Sequence, residues 1–149
     1  MRTEMMLELW DAQSGEGLAA AGWARAVAGL TPEQAGWRAE GVGGERHSIW
    51  QIVHHVIFWL EVGLAQSRGE PGPTVEQVAA RNFESPTERT GAAWDASVAR
   101  LHQARASVRA VIETSPEVSK TWPYLMAHDN YHLGQIMMLR AMQGMAPID

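Results

Sequence analysis

Histidines supply the chemistry this chain can do. There are six, His47, His54, His55, His102, His128 and His132, and no cysteine. That excludes disulfides, zinc fingers, iron–sulfur clusters and thiol nucleophiles, and leaves imidazole and carboxylate as metal ligands. His128 and His132 stand at i, i+4, so on a helix both project from one face, one turn apart. Two imidazoles so placed can hold one cation at ~2.0–2.1 Å each. Leu125, Ile136 and Leu139 share that face, which periodicity buries. A half-exposed histidine pair needs no ligand. A buried pair must satisfy both ring nitrogens or lose ~1–3 kcal/mol for each that is left over. A metal satisfies one nitrogen of each ring, and a third histidine would complete a three-His site with an open fourth position, as in catalytic zinc.

The third ligand would come from His54-His55. The apolar arc of that segment is Ile49, Ile52, Val53, Val56, Trp59 and Leu60, and the two histidines flank it almost symmetrically. Periodicity does not choose between them. The neighbours lean slightly to His55, enclosed by Gln51, Ile52, Phe58, Trp59 and Val62, whereas His54 shares its edge with Glu61. Depth adds a check: His55 lies seven residues past Ser48, and His128 and His132 lie five and nine past Pro123. At ~1.5 Å per residue these are level if the two helices run parallel.

Helices must position these groups. Glu4 to Leu30 reads as one helix, with Met6, Trp10, Gln13, Gly17, Ala20, Ala24 and Val27 at three- to four-residue spacing. Thr31-Pro32 opens a short element as N-cap and first helical residue, and Arg38 to His47, rich in glycine, reads as a loop. Ser48-x-x-Gln51 is a capping box that starts a second long helix, ending near Arg68 at Gly69. About twenty residues follow, too many for a tight hairpin and suited to crossing the end of a bundle. The third long helix covers Thr90 to Thr114, with Trp94, Val98, Leu101, Arg105, Val108 and Ile112 inside. The fourth starts near Pro123 and ends about Gln143, with Gly144 as its terminating glycine. No period-2 segment appears, so the expected fold is all-α, a four-helix bundle forming one domain over residues 1–149.

Composition agrees. The chain has 149 residues, 46% apolar, enough for a core without staples. Its net charge of −5 and lack of a Lys/Arg run argue against nucleic acid as a partner. No signal peptide or run of 18 apolar residues is visible, so the expectation is a cytoplasmic protein without a membrane partner. Seven tryptophans are many for this length, but their number alone points to no function.

Two segments resemble the DinB/YfiT-like superfamily: His47-Ser48-Ile49-Trp50-Gln51-Ile52-Val53-His54-His55-Val56-Ile57-Phe58-Trp59 its second-helix signature, and His128-Asp129-Asn130-Tyr131-His132-Leu133-Gly134-Gln135-Ile136 its fourth. Leu30-Thr31-Pro32-Glu33-Gln34 is similar to its usual link after helix one. The resemblance implies a DinB-type bundle with a divalent metal on three histidines. By motif position these are His55, His128 and His132, which selects His55 over His54 and leaves His54 satisfied or exposed. Zinc suits imidazole first, with nickel, manganese or iron as alternatives. Related proteins include thiol S-transferases and a thiol-using isomerase, and the founding members were named for induction by DNA damage.

The remaining candidates have plainer readings. His47 reads as a solvated loop residue or a pocket rim, and His102 as a surface residue or a neighbour of a ligand. Gln135 could reach the open position, though helix packing at Gly134 explains the Gly-Gln pair nearly as well. Asp129, Asn130 and Glu61 could orient an imidazole, but spacing picks none. Met137, Met138 and Met142 read as core or dimer contact. No general base stands out, so no catalytic residue is assigned, and no cofactor motif beyond the metal is present. Two functions follow. One is a metal-dependent enzyme, thiol S-transferase or hydrolase, taking a small-molecule thiol and an electrophile and working as a homodimer. The other is a non-catalytic, metal-stabilised stress-response module that binds a small molecule or a protein. For the enzyme, activity should fall as pH drops toward ~6.5, since protonated imidazole does not bind metal.

Overall fold

Three capping boxes punctuate the chain. Thr31, Ser48 and Thr74 each accept from the backbone N–H three residues on, and the side chains of Gln34, Gln51 and Gln77 each reach back to the cap's own N–H. Each satisfies two otherwise unpaired donors and starts a helix. In the computed structural model, which describes residues 2–41 and 46–148, the helices are α1 Thr3–Ser14, α2 Trp23–Val27, α3 Pro32–Gly36, α4 Ile49–Ser67, α5 Val75–Arg81, α6 Gly91–Thr114 and α7 Thr121–Met142. Among the described residues there is no strand, only an isolated bridge between Gly17 and Ala21. The expected loop from Arg38 to His47 is irregular where described; residues 42–45, with Gly43 and Gly44, lie outside the described residues.

The four longer helices, α1, α4, α6 and α7, form the all-α bundle. α4 packs on both α6 and α7, and α1 packs on α6. α4 is apolar nearly all round and is buried accordingly. Trp10, Trp23, Trp50 and Trp122 are fully buried, with Trp94 beside them, so most of the tryptophan excess goes into the core. α4 and α7 end in glycines in the left-handed region, Gly69 (φ 81°) and Gly144 (φ 74°). At each end the two N–H groups past the cap turn back onto the last-turn carbonyls.

Two expectations need correction. The first helix is not continuous from Glu4 to Leu30. It stops at Ser14, the chain folds back through residues 15–21, and α2 resumes at Trp23. Gly17 sits at φ +96°, and a Cβ on Gly22 would lie 2.4 Å from the Gly15 carbonyl oxygen and 2.7 Å from that of Gln13. Glycine makes this notch possible. The periodic signal ran across it because both sides bury residues, Met6, Trp10 and Gln13 before it and Trp23, Ala26 and Val27 after.

The second correction is direction. A Cβ on Gly63, late in α4, would stand 3.0 Å from Trp122 and Leu125, early in α7. Ile52, early in α4, lines the same hollow as Leu139, late in α7. The helices therefore run antiparallel, and the parallel depth check does not apply. The histidines meet because His55, about two turns into α4, falls opposite His128 and His132 near the middle of α7. The long connection does cross between α4 and α6, but it carries α5, which buries no residue of its own.

Candidate metal centre

His55 projects from α4 and His128 and His132 from α7, and the structure brings all three together. His55 Nε2 lies 2.9 Å from His128 Nε2, which lies 3.1 Å from His132 Nε2. One ligand atom from each can be chosen so that all are within 4.8 Å of one another. Every other ring nitrogen faces an oxygen. His55 Nδ1 donates to Asn82 Oδ1 at 2.5 Å and His132 Nδ1 to Gln135 Oε1 at 2.7 Å, while His128 Nδ1 faces Asp129 Oδ1 at 3.5 Å. With Nδ1 carrying the proton, each Nε2 presents a lone pair. Three lone pairs directed at one point repel unless something positive lies between them, and a divalent ion with bonds of ~2.0–2.1 Å fits a donor set of this kind.

The electrostatics favour neutral rings. Burial pushes His55 down from 6.5 to about 4, with the neighbouring His132, His128 and His47 adding to the shift and the Asn82 hydrogen bond opposing it. Burial also lowers His132, against the pull of Gln135 and Asp129. His55 and His132 are 6% and 4% exposed, whereas the His128 side chain is 32% exposed, so the cluster opens to solvent on the His128 side.

Aromatic rings wall the other side. Phe83 stacks between His55 (centroids 3.9 Å, planes 8° apart) and His47 (3.8 Å, 2°). His47 is therefore a rim residue. Gln51 does more than cap α4: its Nε2 also donates to the Phe83 carbonyl at 3.0 Å and holds that loop down. Gln135 accepts the His132 Nδ1–H bond with its oxygen and donates to Tyr131 Oη at 3.0 Å with its nitrogen, so here it holds a ring. Beside Gln135 and His47 opens a hollow of about 570 Å³, also lined by Arg46, Ile52, Met138 and Met142.

The structure separates the other candidates. His54 is satisfied elsewhere: Nδ1 donates to the Glu84 carbonyl, and Nε2 meets Trp50 Nε1 and Ser97 Oγ, tying α4 to α6. His102 is exposed on α6. Glu61 pairs with Arg81 and Arg100, and Asn130 accepts from Gln13. Of the three polar candidates only Asp129 faces a histidine of the cluster. Gly134 is exposed and a Cβ there would meet nothing within 4 Å, so close packing does not account for it.

Asn82 and Phe83 escaped sequence reasoning. The pattern Thr74-x-x-Gln77, of the same kind as Ser48-x-x-Gln51, would have located α5 and placed both residues just after its end. Arg105 falls on the inner stripe of α6, and a charge on an apolar stripe is itself a signal.

A profile of the DinB superfamily matches residues 18–136. The chain belongs to the DinB superfamily. The match runs from the notch before α2 into α7 and takes in all three converging histidines, Asn82, Phe83 and Gln135. All of α1 and the last turns of α7 lie outside it. No curated protein and no solved structure matches the chain. As a DinB superfamily protein with a buried histidine cluster, it has a site that could bind a metal ion. Among the described residues no helix is long and apolar enough to cross a membrane.

Proposed function

We propose that this DinB superfamily protein is a metal-dependent enzyme in which His55, His128 and His132 hold one divalent ion, zinc first, through Nε2. The observation that carries the reading is the convergence of three Nε2 atoms whose Nδ1 partners are all turned to oxygens. When bound, the ion supplies Lewis acidity that lowers the pKa of a thiol or a water. The protein's own part is to fix the rings through Asn82 and Gln135, to shut water out with Phe83 and His47, and to leave the His128 side open. Neutral ligands keep the full +2 charge at the centre, which suits an anionic thiolate and favours thiol S-transfer over hydrolysis. The hollow lined by Arg46, Met138 and Met142 is large enough for a small-molecule thiol or its electrophile.

The proposal extends to a cytoplasmic homodimer. Met138 and Met142, one turn apart on α7 at the rim of that hollow, are exposed at 62% and 53%, a feature that suits a self-associating face beside it. A sedimentation mass that stays at 16.4 kDa at all concentrations would remove this part.

The test is metal analysis of protein purified without a nickel column, followed by a screen of low-molecular-weight thiols against electrophiles, with and without chelator. Chelation should abolish turnover and leave the helical circular dichroism intact, because the bundle core does not depend on the ion. Cooperative unfolding on chelation at room temperature would instead make the ion structural and support a non-catalytic binding module.

A further inference from the structure

Arg105 is the one charged side chain among the largest fully buried residues, at 1% exposure. Its guanidinium lies 4.3 Å from the ring of Trp10. Its Nε donates to Ser14 Oγ at 2.9 Å, its Nη2 to Gln13 Oε1 at 2.7 Å and its Nη1 to Asp129 Oδ2 at 2.5 Å. Trp10 Nε1 in turn donates to the Arg105 backbone carbonyl. Each of the three guanidinium nitrogens has an acceptor, two of them on α1 and one on α7, so the side chain of this α6 residue is held from both neighbouring helices. Asp129 is equally buried, at 1%, and its second oxygen faces His128 Nδ1 at 3.5 Å.

We infer that Arg105 is a positioning residue for the metal centre: by fixing one oxygen of Asp129 it aims the other at His128, and so sets how firmly that histidine binds a cation. This rests on the three-histidine reading above. The reasoning is geometric. His128 is the most exposed of the three rings and has the longest Nδ1 contact, so its orientation depends most on a carboxylate held still. A carboxylate behind a ligand histidine fixes its tautomer and raises its basicity, and losing such a partner typically weakens metal binding 10–100-fold. Asp129 lies next to His128 in the chain and has little freedom of its own. The orientation of the carboxylate toward the ring is then set by the ion pair. α1 thereby gains influence over the site through Gln13 and Ser14.

The experiment titrates zinc into the full-length, metal-free protein against a chromophoric chelator at fixed pH. It compares wild type, Arg105→Met, Asp129→Asn and the double variant, with folding checked by circular dichroism. Arg105→Met should weaken zinc binding about tenfold, Asp129→Asn by at least as much, and the double variant no more than Asp129→Asn alone. Unchanged affinity in a folded Arg105→Met overturns the inference, as do additive losses in the double variant, which would mean that Arg105 does not act through Asp129. If Arg105→Met does not fold, Arg105→Lys replaces it. Lysine keeps the charge but cannot reach Ser14, Gln13 and Asp129 together. A several-fold weakening supports the inference and wild-type affinity overturns it. Failure of the wild type to bind zinc, nickel, manganese or iron would refute the three-histidine reading itself, a result distinct from all of these.

Discussion

Phe83 lies flat on His55, ring centroids 3.9 Å apart, from a backbone at φ +56°. A bulky residue in the left-handed region costs about 1–2 kcal/mol. The loop tolerates this because the ring fills the space between His55 and His47 and the Phe83 carbonyl is held by Gln51. Phe83→Ala keeps the strained backbone and loses the stacking, whereas Phe83→Gly loses the stacking and the strain together. The alanine variant should therefore be the less stable of the two by about 1 kcal/mol, as read by urea denaturation. Equal stabilities would mean that the loop relaxes when the ring is removed.

His54 and His55 are neighbours in sequence with separate partners. His55→Ala should remove most of the bound metal, because it takes one of the three converging nitrogens. His54→Ala should leave metal content near one ion per chain and instead loosen α4 from α6 at Ser97 and Trp50. Elemental analysis of both variants decides the matter, and the opposite pattern would exchange their roles.

Asn82 should matter to metal binding although it reaches no ion. Asn82→Ala removes the acceptor that fixes the His55 ring and should weaken zinc affinity 10–100-fold with little change in helical content. Gln135→Ala should act in the same direction through His132. Competition with a chelator measures both.

The pH dependence follows from the lowered histidines. Unfolded, His55 titrates near 6.5; folded, it is held at about 4 by burial. Below 6.5 the unfolded chain therefore binds a proton that the folded one refuses, and stability falls with pH until about 4, below which both forms are protonated. His132 acts in the same direction. The thermal midpoint of the metal-free protein should drop over this window, and His55→Phe should flatten that drop. Metal retention over the same window, followed by dialysis at stepped pH, tests the expectation that ligation weakens as imidazole is protonated.

Arg105→Met leaves Asp129 buried without its partner. The cost should be about 3–5 kcal/mol, the usual penalty for breaking one side of a buried pair. Asp129→Asn in the same background should recover part of it. Equilibrium unfolding of the single and double variants tests this.

Much of the bundle was legible because its signals are local. Ser48 and Gln51 announce α4, Thr90 and Ser115 bound α6, and Gly144 ends α7, each through a hydrogen bond within a few residues. The i, i+4 pair His128 and His132 was legible for the same reason. What stayed hidden depends on contacts distant in sequence. The notch at Gly17 and Gly22 keeps the helical spacing on both sides and so looks like helix. The antiparallel run of α4 and α7 leaves no trace in either helix alone. Asn82 meets His55 across 27 positions of chain, and only the fold tells an amide there from any other loop asparagine.

The exposed crossing offers a further use. Val75, at the start of α5, is 81% exposed, and the chain contains no cysteine. A cysteine placed at that position would be the only thiol in the molecule, so a fluorophore or spin label would attach there alone. No core side chain would be disturbed, and the probe would ride on the segment that delivers Asn82 and Phe83 to the histidines. Its signal would report the seating of that segment directly, in the same sample from which metal is added or withdrawn.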